Sequence, residues 1–248
     1  MTIIDVRQTR GPWTQASQSA SAVIGVLGGA GPLATLELHR RVLALAATSG
    51  AVQDWDYPSL LVRSAPLAGF GPHGFMSGEA EDVTAQAALV DAAGNLMTGG
   101  ATEIVIACIT AHRYLTAIRA AVPLPVLDLV ETAAQYLPHH ARRVGVLASR
   151  STVSARLFER ALPNRDVVVP DATGQSALDT AILAAMAGQR TAPGFAAAAM
   201  SLFAQDVDAI VLGCTELPLL KPFDTDLPVI DILQVAAEAI TNTREVTS

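Results

Sequence analysis

An internal duplication constrains the fold of this chain more than any other feature of its sequence. The hexapeptides at 124–129 and 227–232 read LPVLDL and LPVIDI, and a paired alanine follows each of them. Each hexapeptide is also preceded by an apolar run that ends at a cysteine, Cys108 in the first copy and Cys214 in the second. Repeated patterns favour repeated local structures. The chain is therefore predicted to consist of two similar halves, each of which ends a buried strand at a cysteine.

The fold class follows from the way apolar runs and helical patterns alternate along the chain. Short apolar runs favour buried strands, and longer segments with apolar residues every three or four positions favour helices. Strands alternating with helices form parallel sheets covered on both faces, so the sequence predicts an α/β fold with two pseudo-symmetric Rossmann-like domains and an active-site cleft between them. The predicted strands are 22–27, 59–62, 103–107 and 144–147, and the predicted helices are 35–47 and 79–97, the second with Val83, Ala87, Val90 and Met97 on its apolar face.

The duplicated pattern also indicates where the domains divide. We expect residues 22–120 together with 216–248 to form the first α/β domain, and residues 121–215 to form the second. The segment from Pro218 onward is expected to pack back on the first half. Residues 1–21 have neither a strand nor a helix period and lack the apolar stretch of a signal peptide, so they are predicted to be a flexible N-terminal extension.

Composition excludes several classes of function. Among 248 residues there are 16 basic and 23 acidic side chains, a formal charge of −7, which disfavours nucleic acid as a partner. Two cysteines cannot form a disulfide framework, which is typical of a protein in the reducing cytoplasm. The chain has no apolar run of about 18 residues, so we expect no membrane span. The expected location is the cytoplasm.

The two cysteines are the main candidates for chemistry. Both come at the carboxyl end of a predicted strand, where open α/β sheets bind their ligands, and both precede a predicted helix start, which is expected to lower the thiol pKa. Two sulfur atoms on opposite sides of one cleft could invert a carbon centre, because a thiolate removes a proton from one face and a thiol returns a proton to the other. The alternative is that Cys108 and Cys214 are buried as small apolar residues.

The glycine loop that follows the first strand is a second candidate. Its residues Gly29, Ala30 and Gly31 could bring backbone amides close to a small carboxylate. A dinucleotide fingerprint and a simple tight turn are the alternatives, although Pro32 removes a donor that a pyrophosphate would need. His112, four residues after Cys108, is interpreted as a capping or positioning residue. No histidine and carboxylate cluster has metal-ligand spacing, and the single lysine, Lys221, is not in a context typical of a pyridoxal cofactor.

Three motifs resemble the cofactor-independent aspartate/glutamate racemase superfamily. They are the segments 24–35, 108–112 and 213–217, which read IGVLGGAGPLAT, CITAH and GCTEL. The resemblance implies a homodimer of two-domain α/β subunits, a small-molecule carboxylic acid substrate, no cofactor and no metal. It assigns Cys108 and Cys214 as the catalytic acid/base pair. The substrate-binding residues that it implies are Gly29, Ala30, Gly31, Ser64, Ile109, Thr110, Ser149, Thr152, Thr215 and Glu216.

The sequence departs from that family at its polar contacts. Ile109 stands where the family has an asparagine, Met186 stands near the place of a carboxylate-binding lysine, and the segment 64–70 lacks the usual Asp-Arg pair. These changes predict a substrate less polar than aspartate. The leading hypothesis is a racemase or epimerase that acts on a carbon next to a carboxylate or carbonyl. A decarboxylase or cis–trans isomerase of the same fold, a nucleotide-dependent oxidoreductase and a non-catalytic binding protein are the alternatives.

Overall fold

Two parallel sheets form the framework of the protein in the computed structural model, which describes residues 22–65 and 79–242. The strand order is β2-β1-β3 in the first sheet and β5-β4-β6-β7 in the second, and all neighbouring strands are parallel. The predicted α/β class is confirmed, and the predicted extension at 1–21 lies outside the described residues. The strands are Val23–Gly28 (β1), Ser59–Ser64 (β2), Glu103–Ile106 (β3), Arg143–Leu147 (β4), Asp166–Val168 (β5), Ala209–Leu212 (β6) and Val229–Asp231 (β7).

Helices connect successive strands and cover the faces of both sheets. Short 3-10 helices lie at Asp54–Asp56, Thr110–Tyr114 and Leu217–Leu219, the last two directly after the cysteines. The α-helices are Pro32–Thr48 (α1), Glu79–Thr98 (α2), Leu115–Ala121 (α3), Leu129–Gln135 (α4), Arg150–Ser154 (α5), Leu157–Ala161 (α6), Ala172–Met186 (α7), Pro193–Phe203 (α8) and Ile232–Asn242 (α9).

Helix α2 buries a different face from the one its sequence predicts. Val83 is 66% exposed and Met97 is also exposed, although both were assigned to the apolar face. Alanines occur on both sides of this helix, so its apolar pattern discriminates weakly between faces. The face that packs against the first sheet instead carries Ala85, Leu89, Ala92, Ala93 and Leu96.

Each duplicated hexapeptide completes the sheet of its own half. Val126 forms a parallel bridge with Ile104 in β3, and β7 pairs along its length with β6. Backbone pairing joins β7 to the second sheet, whereas α9 packs on α1 of the first half, and the predicted division of the chain into domains stays a prediction. The aspartates of the two hexapeptides have the same role: Asp128 and Asp231 each accept two backbone N–H bonds at the start of the following helix, α4 or α9.

The helices that follow the hexapeptides lie between the two halves. Helix α9 packs on α1 of the first half, whereas α4 packs on α6 of the second, and α4 and α9 also contact each other. One apolar cluster therefore runs from Val42 in α1 through Ala133 in α4 and Ile240 in α9 to Val144 in β4. This shared core fixes the relative position of the carboxyl ends of the two sheets, where the cysteines lie.

Candidate active site

Cys108 and Cys214 occupy equivalent positions in the two sheets. Each lies two residues beyond the carboxyl end of a strand, β3 for Cys108 and β6 for Cys214. Both thiols are free; Cys108 is partly exposed and Cys214 is buried. The presence of Cys108 contributes to a raised pKa of Cys214, so the two sulfur atoms lie within electrostatic reach of each other.

Glu216 brings a carboxylate into contact with this pair. Its Oε2 atom accepts a hydrogen bond from Cys214 Sγ at 3.1 Å and lies 3.1 Å from Thr215 Oγ1. The same Thr215 hydroxyl lies 3.4 Å from the carbonyl oxygen of Ala107, next to Cys108. Glu216 and Thr215 are both buried, and burial raises the pKa of the Glu216 carboxyl. The turn after β6 therefore connects the two strand ends through polar side chains.

The glycine loop after β1 packs directly against this turn. Gly29 and Gly31 both have positive φ, 101° and 90°, a conformation that other residues rarely adopt. A Cβ atom on Gly29 would lie 2.0 Å from the carbonyl oxygen of Ala65, and one on Gly31 would lie 1.8 Å from Glu216 Oε1. Ala30 between them is buried. Glycine is thus required at 31 so that the carboxylate of the second half can lie against the loop of the first.

Three hydroxyl groups meet on another side of the site. Thr110 Oγ1 lies 3.2 Å from Ser149 Oγ and 2.8 Å from Thr152 Oγ1, and the last two atoms are 3.1 Å apart. Thr110 follows Cys108, whereas Ser149 caps α5 and Thr152 lies within that helix. The structure therefore brings together these three predicted residues from segments that are about forty positions apart, and hydroxyl groups are suitable partners for a carboxylate.

The pKa values of the thiols contradict the expectation that a helix start would lower them. Burial raises the pKa of Cys108 to about 12, the negative charge of Glu216 adds to this effect, and the backbone N–H groups of Ala111 and Thr110 only partly oppose it. Burial and Glu216 likewise raise the pKa of Cys214 well above its ordinary value. Desolvation and a nearby carboxylate thus outweigh the N–H groups of a short 3-10 helix.

His112 positions the segment that carries Cys108. Its Nε2 atom accepts a hydrogen bond from the backbone N–H of Leu129 at 3.2 Å, so Nδ1 carries the ring proton and donates it to the carbonyl oxygen of Cys108 at 2.9 Å. Burial lowers the pKa of the ring, which favours the neutral form that these two bonds need. The interpretation of His112 as a capping and positioning residue is confirmed by this geometry.

Several predicted residues lie away from these contacts. Ile109 is almost fully buried in the apolar cluster shared by the two halves. Ser64 is exposed at the end of β2, where its carbonyl oxygen accepts a bond from Arg63 Nη1 at 3.4 Å. Met186 packs partly buried at the end of α7.

Sequence reasoning missed a buried polar network behind Ser149. Asp179 accepts hydrogen bonds from the backbone N–H and the Nε atom of Arg150, and also from Gln175 Nε2. Gln175 Nε2 additionally donates to the carbonyl oxygen of Ala148, while its Oε1 is buried without a partner. The network holds the turn that carries the hydroxyl groups. The sequence signal was a Gln and an Asp four residues apart on a helix that carries no other charged or amide side chain.

The sequence model of the family described as Asp/Glu/Hydantoin racemase matches residues 27–240. The chain belongs to this family. A relative from Bacillus subtilis (strain 168), the broad specificity amino-acid racemase RacX, is 27% identical over 227 residues, which cover 89% of this chain and 97% of RacX. As a member of the racemase family, the chain is an isomerase, and the predicted superfamily is confirmed.

Solved structures of racemases share the fold of this family member. A putative Asp/Glu racemase from Yersinia pestis is 26% identical with a TM-score of 0.73, and the match covers 91% of this chain and all 100% of that one. The aspartate racemase of Picrophilus torridus has a TM-score of 0.71 at 22% identity, covering 91% of this chain and 95% of its own, and so supports the fold alone. The two-domain α/β architecture is therefore that of racemases.

The described residues contain neither a candidate metal site nor a membrane-spanning helix. Within residues 22–65 and 79–242, no group of three or more His, Cys, Asp or Glu side chains is arranged to hold a metal ion. The helices of the same described part are too short or too polar to cross a membrane.

Proposed function

We propose that this chain interconverts the enantiomers of a free amino acid, or of a related small acid, with Cys108 and Cys214 as the acid/base pair and without a cofactor. The observation that carries the proposal is the equivalence of the two cysteines: each lies two residues beyond a strand of its own sheet, and Thr215, which follows Cys214, lies 3.4 Å from the carbonyl oxygen of Ala107, which precedes Cys108. An inversion at carbon needs one proton-transfer group on each face, and each such group contributes about 10²–10⁴ in rate.

The reaction requires one thiolate and one thiol at a time. A thiolate removes the proton from the α-carbon, and the opposite thiol protonates the other face of the planar intermediate. The hydroxyl groups of Thr110, Ser149 and Thr152 and the amides of the loop at 29–31 would hold the substrate carboxylate, which delocalises the negative charge that develops. The high thiol pKa values also make a thiolate a strong base once it has formed.

The substrate is proposed to be an amino acid with an uncharged side chain. Support comes from RacX, which is described as a broad specificity amino-acid racemase. Support also comes from the side chains that meet around the cysteines, at 110, 149, 152, 215 and 216, none of which is basic. Since leaving a charged side chain without a partner in a buried pocket is costly, such a site favours neutral side chains over aspartate or glutamate.

Two experiments test the proposal. Single enantiomers of candidate amino acids are incubated with the protein in D₂O, and deuterium is expected on the α-carbon of the inverted product. Cys108→Ser and Cys214→Ser are each expected to lose racemisation by at least about 10²-fold while keeping the thermal unfolding temperature close to that of the wild type. Full activity in either variant would exclude a mechanism with two cysteines.

The family is that of racemases, and the relative RacX is described as a racemase, so the decarboxylase or cis–trans isomerase alternative is not favoured. Release of carbon dioxide from a candidate acid would support the decarboxylase alternative. The homodimer and the cytoplasmic location expected from the sequence stay predictions.

A further inference from the structure

Glu216 contacts Cys214 directly and reaches towards the strand end that carries Cys108. Its Oε2 atom is 3.1 Å from Cys214 Sγ and 3.1 Å from Thr215 Oγ1, and that hydroxyl lies 3.4 Å from the carbonyl oxygen of Ala107, next to Cys108. Its other oxygen, Oε1, lies against Gly31, so the carboxylate is enclosed between the two halves. A single buried carboxyl is thus coupled to the buried thiol of Cys214 and to the partly exposed thiol of Cys108, and its negative charge raises the pKa of both.

A racemase with two thiols must restore its protons between turnovers, and the following step rests on the proposed function. When the Cys214 thiolate removes the substrate proton and the Cys108 thiol supplies a new one, the enzyme is left with a Cys214 thiol and a Cys108 thiolate. That form can act only on the product enantiomer. Before a second molecule of the original enantiomer can react, one proton must move from Cys214 to Cys108.

We infer that Glu216 carries this proton from one cysteine to the other. The S–H bond of Cys214 breaks as an O–H bond forms on Glu216, and that O–H bond then breaks as an S–H bond forms on Cys108. One proton moves and the net charge of the cluster is unchanged. S–H and O–H protons exchange with water while the site is empty, so the deuterium expected on the product in D₂O is compatible with this step. The reverse sequence restores the enzyme after turnover in the opposite direction.

The contacts of Glu216 favour this role over the substrate-binding role predicted from the sequence. Its Oε2 already lies within hydrogen-bond distance of Cys214 and Thr215, and a second carboxylate brought by the substrate would be repelled. Burial raises the pKa of Glu216 towards that of a thiol, which makes the transfer less unfavourable.

The decisive variant is Glu216→Gln, which keeps the shape of the side chain but cannot accept the proton. Net racemisation of a single enantiomer is expected to fall by about 10²-fold or more. Exchange of an isotopic tracer between the two enantiomers of a racemic mixture is expected to stay within about three-fold of the wild type, because alternating forward and reverse turnovers restore the enzyme by themselves. A thiolate remains available, since removing the carboxylate charge lowers the pKa of both thiols.

Controls separate this proposal from other outcomes. Glu131→Gln, on the exposed side of α4, should change neither rate. Glu216→Asp restores a carboxyl and is expected to recover part of the net rate. An equal fall of both rates in Glu216→Gln, or no fall in either, would overturn the relay. In that case the inactivity of the two cysteine variants would still support the proposed function, whereas active cysteine variants would overturn the proposed function itself.

Discussion

Arg41 and Asp231 join the two halves of the protein through a hydrogen-bonded ion pair of 2.6 Å. Arg41 lies on α1, and Asp231 ends β7 and caps α9, so the pair links the first and last helices of the described part of the chain. Arg41 Nε also bonds Glu37 at 2.9 Å. The guanidinium thus satisfies two partly buried carboxylates where the helices meet.

Substitution of this arginine is expected to weaken the junction. Arg41→Gln should lower the free energy of unfolding by about 1–3 kcal/mol, because it leaves two carboxylates short of a partner. Arg40→Gln is the matched control: its side chain is 63% exposed, against 14% for Arg41, and it bonds only Glu37. Urea denaturation should show a loss of at most about 1 kcal/mol for the control. Equal losses would contradict a special role for the link to Asp231.

Glu103 is expected to make the stability depend on pH. Its side chain is fully buried at the start of β3, neither carboxyl oxygen has a hydrogen-bond partner among the described residues, and burial raises its pKa to about 7. The folded state therefore holds the proton more tightly than the unfolded state, so stability is greatest below about pH 4.5 and is lost as pH rises through about 7. The loss amounts to about 3 kcal/mol.

The variant Glu103→Gln should remove this dependence. Its free energy of unfolding, measured by denaturant titration between pH 4 and 8, should lack the fall that the wild type shows over that range. Glu131→Gln, at an exposed position, should retain the wild-type profile. Parallel profiles of wild type and Glu103→Gln would show that Glu103 is not the group responsible.

Gly31→Ala is expected to damage the site and Gly50→Ala is not. Both glycines have positive φ, 90° and 103°, so each substitution should cost about 1 kcal/mol of backbone strain. Only at Gly31 would the new methyl group collide with Glu216 Oε1, whereas nothing lies within 4 Å of a Cβ at Gly50. Racemisation should therefore fall at least ten-fold more in the first variant. Similar activities of the two variants would argue against a role for the loop contact.

Substitution of His112 should reduce the rate without changing its pH dependence. His112→Phe leaves the Leu129 N–H and the Cys108 carbonyl without their partner, and each unsatisfied buried group costs about 1–3 kcal/mol. Because burial lowers the pKa of the ring, the imidazole is already neutral near pH 7, and no limb of the activity profile should disappear. The loss of such a limb in the residual activity would identify His112 as a proton-transfer group.

The sequence sufficed to predict features that arise from local pattern and duplication. The two strands that end near Cys108 and Cys214 follow from short apolar runs, and α1 follows from its helical period, whereas the hydroxyl residues around Thr110 came from the resemblance to the racemase superfamily. Each of these motifs is local, because a strand, the turn after it and the start of the next helix follow one another directly in the sequence. The ends of these strands and helices in the structure lie within a few residues of the predicted ends.

Features that depend on packing between distant segments could not be predicted in the same way. The thiol pKa values rise because the site is enclosed by both halves, a property no single motif contains. The pairing of β7 with β6 and the network of Gln175 and Asp179 likewise need the tertiary arrangement. For the alanine-rich helix α2 the sequence predicted the wrong buried face, because apolar residues lie on all sides of the helix.

The apolar cluster that passes through α1, α4, α9 and β4 means that neither half is an autonomous folding unit. Severing the polypeptide between the halves would expose that interior on each fragment, and the intact chain should melt in one cooperative transition. We therefore expect substrate to enter and product to leave without separation of the two halves, because separating them would expose this shared core to water.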